Sequence, residues 1–318
     1  MRDKVWWSSR DGTMEAGSDK HVSFLANDGA PPPLNDPDAL IRWEPWVRRG
    51  IAINELMHAL TYAAVGADTF TVSSRTPAAE LVRLTRPDLP FFQQQIPLVQ
   101  SWAELRDERA AEILAQIDNQ LAFIAAATGL NVSRKRWTVE WLMIAVHFTI
   151  AVQLMFKHAF ACFRPVELSP QVQPIITTPG HGTYPMGHAA QAFATIVALR
   201  GLLGLAHNHP AYRQLYLQAR RFSVNRVVAG VHFPIDAAAG QALGLSLGEY
   251  FVRASGIPAV TCHRRTFQPT GNGGDGANDY LGDGPEDPQG VKDPADFAVA
   301  TLPFLETMAK LARAEWQL

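Results

Sequence analysis

A chain of 318 residues has room for one large domain or two ordinary ones, with a sizeable core in either case. Its 47 % hydrophobic and 18 % charged residues exclude a disordered polymer. A formal net charge of -2, with no block of Lys and Arg, provides no field for nucleic acid, and none is expected as a partner.

Residues 1–46 are rich in Asp, Gly, Ser and Pro, with the run Pro31-Pro32-Pro33, and are predicted to form an irregular N-terminal arm. Trp6, Trp7, Trp43 and Trp46 would anchor that arm to a core or to a second subunit. Residues 47–318 are predicted as a single helical domain. Ile51, Ile53, Leu56, Met57 and Leu60 predict a helix over 51–65, ending near Gly66. Ser101 with Glu104 reads as a capping box that opens a helix running through Ile113, Ile117, Leu121 and Ile124 to Gly129. A third helix is predicted from Thr138 to Phe163, where Arg164-Pro165 stops it. Its apolar stretch, Trp141 to Phe163, is interrupted by His147, Gln153, Lys157 and His158, so it reads as a buried core helix and no membrane is expected.

A loop over 165–187 follows, then helices over 188–205, 210–229 and 233–254. The Gly- and Asp-rich segment 266–292 reads as a long surface loop. Within it, Gly271 to Asp279 is one imperfect copy of a glycine repeat, too little to bind calcium. Asp293-Pro294 reads as the opening of a last amphipathic helix. Alternating strand patterns are nearly absent, so the expected fold class is all-α. Cys162 and Cys262 lie far apart and read as free thiols. The first ten residues hold no apolar stretch of the secretory kind, so the expected location is the cytoplasm.

Three segments carry chemistry. Lys157 and Arg164 are two cations seven residues apart on an otherwise apolar helix, on one face and roughly 10 Å apart. A buried oxyanion would give such cations a partner. Gly180 to His188 is a glycine-rich loop running into a helix N-terminus, whose free N–H groups and dipole favour an anion. In the third segment, Arg226 to Asp236, His232 and Asp236 are four apart. The carboxylate can therefore hold one ring nitrogen and leave the other free.

The spacings Lys-x6-Arg-Pro, Pro-x-Gly-His and Arg-x5-His-x3-Asp, in that order, resemble the signature of the superfamily joining vanadium-dependent haloperoxidases with type 2 phosphatidic acid phosphatases. The resemblance covers residues 157–236. It implies that Lys157, Arg164 and Arg226 neutralise the oxygens of bound vanadate or phosphate and that Gly187 donates its N–H to them. It makes His232 the axial nitrogen held by Asp236, bonded to vanadium in a peroxidase or attacking phosphorus in a phosphatase. His188 becomes the general acid and base. Two positions depart from the pattern. Met186 stands where the family has serine, which removes one hydroxyl donor to the anion at a cost of about 1.5–3 kcal/mol. Asn225 replaces the serine before the third-motif arginine.

Chain length, the Gly-Val-His-Phe-Pro-Ile-Asp run and His181 favour a haloperoxidase with vanadate as cofactor, using hydrogen peroxide and a halide. His181, seven before His188, sits where bromide-oxidising relatives carry a second histidine, and Leu154 stands where chloride-oxidising ones show tryptophan. The alternatives are a soluble acid phosphatase that takes a phosphate ester through phosphohistidine, and a weakly active oxyanion-binding relative. A homodimer through the apolar N-terminal helices is a further expectation.

Overall fold

The computed structural model describes residues 32–118, 120–131, 133–269 and 291–317. Most of the predicted arm (1–31) and of the predicted surface loop (270–290), the glycine repeat included, lies outside the described residues. Met1–Arg48 and Arg49–Leu318 are two compact units. In the first, a 3-10 helix, Pro37–Arg42, starts at Asp36, whose carboxylate accepts the Asp38 N–H and caps the turn.

Helix α1 (Pro45–His58), most of which belongs to the larger unit, ends sooner than its apolar stripe suggested. Residues 60–65 are a strand rather than the last turns of a helix, because they pair along their whole length with the segment after Gly66. Strands β1 (Leu60–Val65), β2 (Thr69–Arg75) and β3 (Ala78–Thr85) form an antiparallel meander. Gly66, at φ +72°, takes the left-handed turn between the first two. β4 (His263–Phe267) then joins β3 in parallel, and β5 (Val291–Asp296) joins β4, giving the order β1-β2-β3-β4-β5. The all-α expectation is therefore corrected: the chain is mostly helical, with one small sheet. Asp293-Pro294 lies in β5 and opens no helix. The last helix, α10, begins at Pro303 (Pro303–Ala314).

The predicted 101–129 helix is also divided. Helix α2 (Leu89–Trp102) is capped by Asp88, which accepts the Phe91 N–H at 2.8 Å. Ser101 falls in the last turn of α2, so the Ser101/Glu104 pair caps nothing. A 3-10 turn (Ala103–Leu105), α3 (Arg106–Ala115) and α4 (Gln120–Thr128) follow. Helix α5 (Arg136–Phe160) stops before its predicted end because Ala161 turns left-handed at φ 48°. The predicted 165–187 loop opens with a one-turn helix, α6 (Pro165–Leu168). Arg136–Leu168 is long and apolar enough to cross a membrane by length and composition, yet 50 % of its apolar window is buried in the fold.

Helices α7 (Gly187–Leu203), α8 (Pro210–Val228) and α9 (Pro234–Ala254) complete the core. α7 and α9 are the most intimate pair. Gly240, Gly244 and Gly248 of α9 face Met186, Ala190 and Ala194 at the start of α7 and along it; a β-carbon on Gly244 would come within 2.4 Å of the Ala190 carbonyl. Matched pairs that climb both chains together mean that the helices run parallel, with their N-termini side by side. Two positive dipole ends therefore converge at one end of the bundle. Other helix starts are met by carboxylates of the chain itself: Glu315 accepts the Trp137 and Thr138 N–H groups at the start of α5, both at 2.9 Å, and Glu55 accepts those of Phe304 and Leu305 at the start of α10.

Candidate active site

Lys157 is in the last turn of α5, and Arg164 lies past the left-handed Ala161 turn. The two meet because the chain bends there, not because they share a helix face as the spacing suggested. Nor are they bare. The Lys157 ammonium donates to the carbonyls of Gly182 at 2.8 Å and Thr183 at 2.9 Å. The Arg164 guanidinium donates to the carbonyls of His181 (3.1 Å), Val231 (2.7 Å) and Gly182 (3.4 Å). Its two remaining contacts are to imidazole nitrogens, His232 Nε2 at 3.0 Å and His181 Nδ1 at 3.1 Å. Carbonyls of the glycine-rich loop thus hold both cations, and that loop is what ties the first motif to the second. Burial, then the neighbouring Arg164, pushes the Lys157 ammonium below its usual range.

His232 sits just before α9, and Asp236 is in its first turn. Asp236 folds back so that one oxygen, Oδ2, accepts the Phe233 N–H at 2.9 Å, the local capping contact of the helix. The same oxygen accepts His232 Nδ1–H at 2.9 Å and the Thr183 hydroxyl at 2.5 Å. His232 therefore carries its proton on Nδ1 and presents Nε2 as a bare acceptor, the atom that Arg164 approaches. Burial, then Arg164 and Lys157, keeps this imidazole neutral by pushing its pKa well down. Thr183 was not singled out from the sequence. A lone threonine in a loop has no pattern, and only the approach of the loop to α9 makes it the second donor to Asp236.

Met186 is fully buried and donates its N–H to the Asp236 carbonyl at 2.8 Å, which locks the two helix starts together. Gly187 opens α7 and packs so closely on Gln153 that a β-carbon there would fall 2.6 Å from the Gln153 amide nitrogen. His188, half-buried, donates from Nε2 to the Ile117 carbonyl at 3.1 Å. Burial, then the charge of Arg226, pushes its pKa down to about 4.

Arg226 is held by one bond, Nη2 to the Ile113 carbonyl at 2.8 Å, under a buried apolar cluster of Ile113, Val228, Ala229 and Val231. Its Nε and Nη1 groups have no partner among the described residues. Among the described residues no hydrogen bond joins it to Lys157 or Arg164; its charge acts on His188 of the second motif. Asn225 turns away to Gln116 (2.8 Å) and Arg109 (3.3 Å), so that departure from the serine pattern serves the anchoring of α8 on α3.

A buried guanidinium whose Nε and Nη1 are unpartnered, a bare imidazole nitrogen and two helix N-termini make a set of groups rich in donors and poor in acceptors. Such a set fits a tetrahedral oxyanion, since the unpaired Arg226 donors cost free energy until an acceptor meets them. No curated protein matches the chain. Residues 138–256, from α5 to the end of α9 and including this site, match the family model described as PAP2 superfamily, whose members are phosphatases and haloperoxidases.

Proposed function

We propose that the chain is a vanadate-dependent haloperoxidase that uses hydrogen peroxide to oxidise halide, bromide in preference to chloride. The observation that carries the peroxidase reading is His181. Its imidazole is on the exposed rim, 3.1 Å from an Arg164 donor, where a halide could approach the anion between two positively polarised groups. His232 Nε2 would bind vanadium, and Lys157, Arg164, Arg226 and the Gly187 N–H would hold the vanadate oxygens. Vanadate, when bound, supplies a Lewis-acidic centre on which peroxide becomes a two-electron acceptor. Bromide gives up those electrons; one peroxide, one bromide and one proton yield hypobromous acid and water.

The residues do the rest. Asp236 and Thr183 fix the His232 tautomer. To meet the anion, Arg164 exchanges its contacts with His232 and His181 while keeping its three carbonyls. His188, neutral near pH 7, accepts a proton from incoming peroxide and returns it as the oxygen–oxygen bond breaks. The same geometry also supports a phosphatase in which His232 Nε2 attacks phosphorus. Phosphate then occupies the same donors, and His188 protonates the leaving group. The work is proposed to occur free in the cytoplasm.

Paired assays on one preparation decide between them. Vanadate-loaded protein is expected to brominate a phenol-type indicator with peroxide and bromide, and vanadate-free protein to leave an aryl phosphate intact. Phosphate-ester turnover without bromination would refute the peroxidase reading and establish the phosphatase.

A further inference from the structure

Resting on that oxyanion reading, we propose that Gln153 supplies the neutral hydrogen-bond donor that Met186 cannot, so that the anion is held by an amide from α5 in place of a hydroxyl before α7. Met186 brings only a buried thioether, a weak acceptor, to a place where an anion needs a donor. Gln153 lies one helical turn before Lys157, so both side chains leave the same face of α5. It is buried, at 4 % exposure, although glutamine is seldom buried without a reason.

Its amide is pressed against the first residue of α7. The distances from a notional Gly187 β-carbon are 2.6 Å to Nε2 and 3.0 Å to Oε1. A side chain at 187 would displace the Gln153 amide, so glycine there leaves the amide its place against the helix start. Oε1 accepts from Gln191 at 3.5 Å, one turn further along α7, which turns the NH2 group toward the helix start. Nε2 has no hydrogen-bond partner among the described residues.

An unpaired amide at the positive end of a helix has two donors to offer and nothing local to receive them. The first N–H groups of α7 lack intrahelical acceptors too. Gln153 and the Gly187 backbone therefore form one donor surface, continuous with Lys157 on the α5 side. An uncharged donor suits the place: a fourth cation beside Lys157, Arg164 and Arg226 would raise repulsion before any anion arrived. Gln153 also bridges α5 to α7 through Gln191, a purely structural use that the experiment must separate.

The test compares wild type, Gln153→Met, Gln153→Glu and Gln153→Met with Met186→Ser by titration calorimetry with orthovanadate and with inorganic phosphate, alongside melting temperatures without anion. Methionine keeps the bulk and removes the donor; glutamate keeps the shape and reverses its character. Gln153→Met is expected to bind each anion about tenfold more weakly, the loss of one charge-assisted bond. Gln153→Glu should bind more weakly still, and the double variant should regain most of the wild-type affinity through its new hydroxyl. Equal affinity in wild type and Gln153→Glu would overturn the proposal even if Gln153→Met failed to fold. A lowered melting temperature with unchanged affinity would show the structural bridge alone and equally overturn it. Wild type that bound neither anion would remove the oxyanion site itself, a failure distinct from that of Gln153.

Discussion

At the scale of single residues, the site is built from groups held off their ordinary protonation behaviour. His188 is the one whose change can be measured directly. Burial, then Arg226, lowers its pKa to about 4, so the native protein disfavours its protonated form while the unfolded chain does not. The sign follows. The stability that neutral His188 contributes is complete above pH 6.5, the ordinary histidine value, and is lost progressively as pH falls toward 4. A bound oxyanion offsets Arg226 and raises that pKa. Phosphate binding near pH 6 is therefore expected to take up a proton at His188, read from calorimetric enthalpies in buffers of different ionisation enthalpy. His188→Ala should bind phosphate with that uptake diminished and should lose most turnover. An uptake identical in wild type and His188→Ala would remove His188 from the site's proton chemistry. Four residues of the candidate site were readable from spacing, namely Lys157, Arg164, His232 and Asp236, each with an order and an interval. Thr183 and Gln153 were not, because their importance lies in what approaches them across the fold: α9 in one case, Gly187 in the other.

At the scale of elements, the parallel seating of α7 on α9 sets the distance between the second and third motifs. Gly244, like Gly240, is among its tightest points, with no room for a methyl group against the Ala190 carbonyl. Backbone cannot step aside as a flexible side chain can. Gly244→Ala is expected to force the helices apart and cost about 1–3 kcal/mol or more. Because Met186 N–H holds the Asp236 carbonyl at the same end, the shift should reach the site and weaken phosphate binding as well. Chemical denaturation and calorimetry on the one variant check both effects; unchanged stability would show that the pair has slack absent from this packing. Gly240, Gly244 and Gly248 stand at every fourth position, but nothing local says which of several apolar helices approaches them. The meander β1-β2-β3 was hidden for a related reason. Its strands are short, β1 exposes half its length, and β3 completes its pairing with β4 from the far end of the chain.

For the molecule as a whole, the consequence of a donor-rich site is that an anion should stabilise the native state. Only the folded chain assembles the three motifs, so vanadate or phosphate at a hundred times its dissociation constant adds about 2.7 kcal/mol, a rise of about 5 °C in melting temperature. Arg226→Ala should show much less of that rise, and a chain unmoved by either anion would contradict the site. This much followed from residue types and intervals alone: the dominance of helix, the helices over 188–205 and 233–254 to within a few residues, and three cation- and histidine-bearing segments in a fixed order. Helical periodicity and glycine punctuation are local properties, so a sequence displays them. Tertiary structure decided the sheet, the division of 101–129 into three helices and the carbonyl cradle around Lys157 and Arg164. It also decided the parallel pairing that points two helix N-termini at one place. Each of these depends on groups distant in the chain, whose meeting lowers free energy only once the whole core has closed.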